Sequence, residues 1–516
     1  MVKIKKIIPF FSYLCLIILF IICAYFITQC STPYMNDDMA SLNVLVNEEI
    51  QFHQMWPSEW IWGNEIVVIS PHLFLFPLRA SGLSAIDAQI VSSIIVLAIF
   101  SVTVFFLFKK LMGKMSAVLI TAFILCESSY AWINFIYVYP TYTICLILSL
   151  VPIICFCLQG KKYSFLCPAF VFLACLTGPR QLELTLFPIL ATIFFYVLMK
   201  NKDTFKESIK SYFQEFLFIL GAGILGIVLY KTLVWQYGPV ITDLGNVFFV
   251  DTSEIIPRFE QLLASYMSLW GYGAGYALGT PSGIFNLICL FTFTLLTIIG
   301  PLLLLKDLRH HPLPIQRYSI AVTISLLLEV ALLIFLSLDA GAFNRYILLQ
   351  QIMVAPMGIY YFAKKVAAPT HRFFYDFLII VFVLCFCFSS LTLIKKSIEL
   401  PKGEDRYESV IETLQENGLD FGYAPYWDSY SYTVMSDYAV EIMPIVLTET
   451  AISPFPYLTS ERFYEDSYHT GKTFVMLPSG QSATWDPQGQ YADIQKTLEL
   501  DNYTIYIYDD NFAFAE

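Results

Sequence analysis

Eleven apolar runs, each near the ~20 residues that a helix needs to cross the hydrocarbon of a bilayer, fill most of the first 395 positions of this chain. They lie at roughly 7–28, 86–108, 115–136, 141–158, 163–178, 182–199, 213–233, 284–305, 318–338, 346–362 and 374–394. In lipid every backbone N–H and C=O must be satisfied within the segment, so runs of this kind form helices. The sequence predicts an α-helical polytopic membrane protein with about eleven transmembrane helices over 1–395. Composition agrees: 57% of the 516 residues are hydrophobic, 14% are charged, and the mean hydropathy is +0.65, well above soluble globular values.

The first run follows Lys3, Lys5 and Lys6. Its apolar core is too long for a signal peptide, no small-x-small site follows, and "ITQC" ending at Cys30 is a poor lipoprotein site, so it reads as an uncleaved anchor with a cytoplasmic N-terminus. Threading the other runs from that start puts eighteen Lys and Arg residues inside and seven outside before the tail. This asymmetry follows the positive-inside rule. It places the stretch after the first run, and the C-terminus, on the outer face.

From Glu399 onward the chain carries 21 acidic and 5 basic residues, against a net charge of −11 for the whole. Such a tail has no attraction for nucleic acid or anionic head groups and reads as a solvated exported domain, 396–516. "DRYESVIETLQENG" reads as an amphipathic helix closed by Gly418, "VEIMPIVL", "KTFVMLP" and "YTIYIYD" as strands, and "DIQKTLEL" as a second helix, together an α/β domain. All twelve cysteines precede it. The "CFC" pairs Cys155/Cys157 and Cys385/Cys387 sit in apolar runs without other ligand types, and read as small apolar residues rather than metal ligands.

Two connections are long, 29–85 and 234–283. The first holds "STPYMNDDMASL" with Asp37 and Asp38, then Glu48, Glu49, His53, the cluster "QMWPSEWIWGNE", and "ISPHLFLFPLR". Tryptophans among Pro and acidic residues fit helices lying in the membrane interface. The second holds the amphipathic "IPRFEQLLASYMSLW" and then "GYGAGYALGTPSG". Its Gly271, Gly273, Gly275 and Gly279 follow a helix and lead into a span, so they read as a hinge beside the membrane, not as a dinucleotide loop, which would follow a strand.

Adjacent carboxylates at a helix exit suit a general base or ligands of a hard cation. A solvated helix cap is the bland alternative. Cations on the outer side are scarce, and Arg180 in "TGPRQLEL" and Arg345 in "GAFNRYILLQ" lie in short connections near the bilayer surface. A guanidinium matches phosphate in a forked, bidentate way; snorkelling, or pairing with Glu183 and Asp339, is the competing reading. Glu127 and Glu329 fall inside predicted spans, where an acidic residue costs about 2.5–3.5 kcal/mol. Glu127 is on that ground a candidate to line a substrate chamber, and Glu183 and Tyr34 are further candidates for the same lining.

A first span leaving the cytoplasm, an acidic pair just beyond it, a long first loop, many further spans and an outer C-terminal domain resemble the GT-C superfamily of membrane glycosyltransferases. That group includes the protein O-mannosyltransferases and the aminoarabinose transferases of lipid A. The resemblance covers about 1–395 and rests on architecture. It implies that Asp37 or Asp38 is the catalytic base or binds a metal. It also implies that a basic residue beside a Pro near the end of the first loop meets the donor phosphate, which falls on His72 in "SPHLFLFP" where several relatives have Lys in a "KPP"-like string.

The implied reaction is inverting transfer of a sugar from a polyprenyl-phosphate donor to a cell-envelope glycan, lipid or protein on the outer face of a bacterial membrane. As cofactor the resemblance admits a divalent cation on Asp37 or Asp38. The competing classes are a flippase or transporter of lipid-linked glycans and a glycan polymerase or ligase.

Overall fold

The computed structural model describes residues 2–63, 66, 68–126, 129–158, 160–198, 205–237, 247–270, 279–366, 372–399, 404–447, 452–482, 494–511 and 514. They divide into two compact units. The first comprises Met1–Phe26, Val96–Lys231 and Leu244–Ile398, and the second Ile27–Ile95, Thr232–Asp243 and Glu399–Glu516.

The first, membrane unit is helical. Among the described residues of the chain, eight helices are long and apolar enough to cross a bilayer: Ser12–Cys30, Ala85–Met112, Thr141–Leu158, Tyr212–Tyr237, Pro281–Lys306, Leu313–Phe335, Ala340–Lys365 and Ile380–Glu399. This makes the chain a multi-pass membrane protein, with fewer full-length spans than the eleven apolar runs suggest. The run at 115–136 is a pair, Lys114–Cys126 and Tyr130–Val138, bent by 95°. Ser129 starts the second arm, its hydroxyl accepting the Trp132 N–H. The next two shortfalls arise at "TGPRQ": Gly178, at φ 130°, and Pro179 stop the helix Lys161–Leu176 after 16 residues, and the following apolar helix, Leu182–Leu198, is also short.

Two glycines set the closest approach in this unit. A Cβ on Gly358 would lie 2.0 Å from the Leu296 carbonyl oxygen, and one on Gly300 would lie 2.6 Å from the Gly358 Cα. Small residues at facing positions let membrane helices gain van der Waals contact where no hydrophobic drive operates. The amphipathic stretch of the second long loop forms the helix Ile255–Leu269. Arg258 fastens it: Nε donates to the Leu333 carbonyl at 3.2 Å and Nη2 to those of Leu336 and Leu338, satisfying acceptors at the end of the Leu313–Phe335 helix. Of the glycine run that follows, 271–278 lie outside the described residues.

The second unit combines the first long loop with the tail. Its main sheet has six strands in the order β4-β3-β2-β6-β8-β7. Here β2 is Phe421–Pro425, β3 Glu441–Leu447, β4 Ile452–Pro454, β6 Thr473–Pro478, β7 Lys496–Glu499 and β8 Tyr503–Tyr508. β2 pairs in parallel with β3 and β6, and the outer pairings are antiparallel. The helix Glu404–Glu416 covers it with Tyr407, Val410 and Leu414, an i, i+3, i+7 stripe, and ends ahead of Gly418 at φ 68°.

Two expectations fail in this unit. "DIQKTLEL" is not a helix: Lys496–Glu499 is β7, paired with β8, and Leu498 and Leu500 pack on the core. Over so few residues the alternation of Leu498 and Leu500 with Thr497 and Glu499 is as strong as any helical period, and an available sheet edge decides it. The tryptophans of the first loop are not on interfacial helices. Trp60–Ile61 is β1, paired with β5 at Thr459–Ser460, and Trp60 and Trp62 are buried. The loop does contain two helices, Asp37–Phe52 and His72–Ala80, the first closed by exposed His53 at φ 54°.

Candidate functional site

In the α/β unit the acidic pair opens the helix Asp37–Phe52. Asn36 caps it by accepting the Met39 N–H at 3.0 Å, and two carboxylates in the first turn suit the positive end of the helix dipole. Consecutive helical positions point about 100° apart, so the two aspartates meet different surroundings. Asp37 is 1% exposed. Its Oδ1 accepts the backbone N–H groups of Ser429 and Ser431 at 3.2 and 3.0 Å, and its Oδ2 accepts the Ser431 hydroxyl at 2.7 Å. Burial outweighs these bonds and raises its pKa to about 6. Asp38 is half-buried, and its Oδ1 accepts the Tyr426 hydroxyl at 2.7 Å.

The partners come from "YWDSYS", a short turn Tyr426–Asp428 leading into the helix Tyr430–Met435. Sequence reading missed this segment, because runs equally rich in hydroxyl residues, such as "YTIYIY", recur in the tail. Trp427 beside it is 62% exposed.

About three turns further along the same helix, Glu48 and Glu49 point into the same unit. Glu48 accepts Arg462 Nη2 at 2.7 Å, yet burial dominates and lifts its pKa to about 7. Glu49 is fully buried, and neither carboxyl oxygen has a hydrogen-bond partner among the described residues. Its nearest basic atom is His72 Nε2 at 4.0 Å, and burial raises its pKa to about 8. His72 Nδ1 lies 2.5 Å from Ser70 Oγ, and burial pulls the imidazole pKa down to about 4. At neutral pH His72 is therefore an uncharged interior side chain, which gives it nothing with which to neutralise a phosphate.

In the membrane unit the structure brings Arg180 and Arg345 together. Arg180 lies over the rings of Tyr142 and Tyr346 at 5.4 and 5.2 Å, and Arg345 over Tyr346 at 5.1 Å, with Nη2 donating to the Tyr346 hydroxyl at 3.3 Å. The Arg345 Nε is buried with no described partner. Asp339 accepts the Gly341 N–H at 2.9 Å, capping its own turn. Glu329, 4% exposed, is hydrogen-bonded to Glu183 and Gln350 and feels the charge of Arg180. Of the chamber candidates, Glu183 thus joins this cluster and Tyr34 is half-buried in the turn after the first helix, while Glu127 lies outside the described residues.

No family model matches the sequence, and no curated protein does. Solved structures match by fold. The oligosaccharyltransferase of Archaeoglobus fulgidus in complex with Zn and sulfate is 12% identical, with a TM-score of 0.51 over 95% of this chain and 72% of that one. Its apo form gives 13% and 0.46 over 83% and 64%, and the arabinofuranosyltransferase AftD from Mycobacteria 12% and 0.45 over 95% and 39%. This chain therefore spans between about two fifths and three quarters of the length of these proteins. The fold is similar to that of the Archaeoglobus fulgidus oligosaccharyltransferase. The Zn belongs to the neighbour. Here the described residues assemble no group of three or more His, Cys, Asp and Glu able to hold a metal ion, and the oxygens of Asp37 are engaged by serine donors.

Proposed function

We propose that this protein is a membrane glycosyltransferase that moves a sugar from a polyprenyl-phosphate donor to an acceptor hydroxyl on the outer face of the cytoplasmic membrane, with inversion. The observation that carries the reading is the division of labour in the acidic pair. Asp37 is a buried acceptor of serine donors, whereas Asp38 is partly exposed and accepts the Tyr426 hydroxyl. An anionic oxygen held in that way is equipped for general base work.

The chemistry needs two things of the protein. Asp38 takes the proton of the acceptor hydroxyl as its oxygen bonds to the anomeric carbon. The bond from that carbon to the donor phosphate breaks and its electron pair leaves with the lipid phosphate; within the membrane unit, Arg180 and Arg345 form a pair suited to a phosphate charge. A single displacement inverts the anomeric centre. His72 is left out of the phosphate set, being neutral and buried.

The test is to incubate the purified chain with a panel of polyprenyl-phosphate sugars and measure release of lipid phosphate together with the anomer formed. Release with one donor, and inversion, is the expected result. The pair of half-buried Glu183 and buried Glu329 favours a second reading, a transporter of lipid-linked glycans, since membrane carboxylates of this kind suit proton coupling. No release from any donor, with translocation of a labelled lipid-linked glycan in liposomes, would move the assignment there.

A further inference from the structure

The membrane unit carries a groove of about 350 Å³ where its first helix lies beside the helices Ala85–Met112 and Lys114–Cys126. That volume is at the lower end of the ~300–1,000 Å³ usual for ligand pockets. The first helix lines it with Tyr13, Leu16, Ile17 and Phe20. The spacing i, i+3, i+4, i+7 makes these one helical face, about 10 Å long at ~1.5 Å per residue.

Hydroxyls on the opposite wall are already engaged. Ser101 donates to the Leu97 carbonyl at 2.8 Å and Thr121 to the Ala117 carbonyl at 2.9 Å. The walls therefore ask for no hydrogen bond, and hydrocarbon is the natural filling. Ile17 and Val102 are 56% and 55% exposed, so nothing described in this chain covers the face.

Charge marks one end. Lys114 Nζ lies 4.4 Å from the centre of the Tyr13 ring, and Lys109 Nζ lies 5.7 and 5.8 Å from those of Phe105 and Phe106. Among the described residues these rings are the partners of both ammonium groups. Two cations thus flank the mouth of an apolar slot, on either side of the turn at Gly113, whose φ is 90°.

We propose that this groove binds an anionic diacyl phospholipid, with an acyl chain between the helices and the phosphate at Lys109 and Lys114. A zwitterionic lipid brings its own cation to the lysines and gains less there. The test is native mass spectrometry of the full chain in detergent, with phosphatidylglycerol and phosphatidylcholine of equal chain length, and with a polyprenyl phosphate as a third probe. Phosphatidylglycerol should be retained on the order of tenfold better than phosphatidylcholine. The double variant Lys109→Gln, Lys114→Gln should bring the two to parity. Ser101→Trp, which fills the slot, should lower retention of both. If Ser101→Trp does not fold, the lysine variants, which alter only surface charge, decide alone. Equal retention by the native chain, a preference that survives loss of both lysines, or displacement of phosphatidylglycerol by equimolar polyprenyl phosphate would overturn the proposal.

Discussion

Arg180 and Arg345 share one aromatic ring: their guanidinium carbons lie 5.2 and 5.1 Å from the centre of Tyr346. Two like charges brought this close repel unless something anionic sits between or beside them, and Arg345 Nε has no described partner. Replacing either arginine by Lys keeps the charge but removes the fork. The expected outcome is a rise in KM for the lipid-phosphate donor of about tenfold, the equivalent of roughly one charge-assisted hydrogen bond. Tyr346→Phe should change it less than about threefold, because the ring remains. Steady-state kinetics against donor concentration decide; unchanged KM in both Lys variants removes the phosphate role.

Asp37→Asn and Asp38→Asn should fail in different ways. The Asp38 variant should accumulate normally, bind donor, and lose transfer by about 10²–10⁴-fold, the usual weight of a general base. The Asp37 variant turns an amide N–H towards a serine donor inside the unit, and should cost about 1–3 kcal/mol of stability. A thermal melt beside the transfer assay separates them. Full activity in the Asp38 variant contradicts the base assignment.

Acidity should stabilise the α/β unit over part of the range. In the folded chain the pKa values of Asp37, Glu48 and Glu49 are raised to about 6, 7 and 8. The folded state therefore holds more protons than the unfolded one from the ordinary carboxylate range up to about pH 8, and stability falls as pH rises through that window. His72, lowered from 6.5 to about 4, acts oppositely: below 6.5 the unfolded chain gains a proton that the folded one refuses. Three acids outweigh one histidine, so the melting temperature of the full chain should be higher at pH 5 than at pH 8. Glu49→Gln should shrink that difference. A wild-type melt that is flat or inverted between the two pH values refutes it.

Gly358→Ala tests packing in the membrane unit. Its methyl carbon would meet the Leu296 carbonyl at 2.0 Å, backbone that cannot swing away, so the helices must separate. A loss of about 1–3 kcal/mol is expected, as for overpacked cores, read as a lower midpoint in detergent. By contrast, a Cβ on Gly279 meets none of the described residues within 4 Å, and Gly279→Ala should be near neutral.

Much of this molecule was legible in the order of its residues, for identifiable reasons. Apolar runs announce spans because lipid imposes length and helicity, and three tail strands are long enough for their composition to speak. Arg180 and Arg345 stood out because cations on the outer side of the predicted topology were few. What could not be read depends on distant partners. Asp37 looks identical to Asp38 until Ser429 and Ser431 take it inside. His72 stands where the family resemblance implies a phosphate ligand, and only its burial beside Glu49 makes it neutral. β7 needed the β8 edge to choose between two periods.

The Asp37–Ser431 link joins positions 394 apart in the chain. A ribosome adding about 5–20 residues per second needs roughly 20–80 seconds to travel that distance. For that interval the first loop exists without the serines that donate to its Asp37 carboxylate, and Glu48 without Arg462. These acids must stay hydrated, and the loop open, until the last quarter of the polypeptide has been made. A chain stopped after its final membrane helix would be held at that waiting stage, inserted in the bilayer but with its acidic loop still in water.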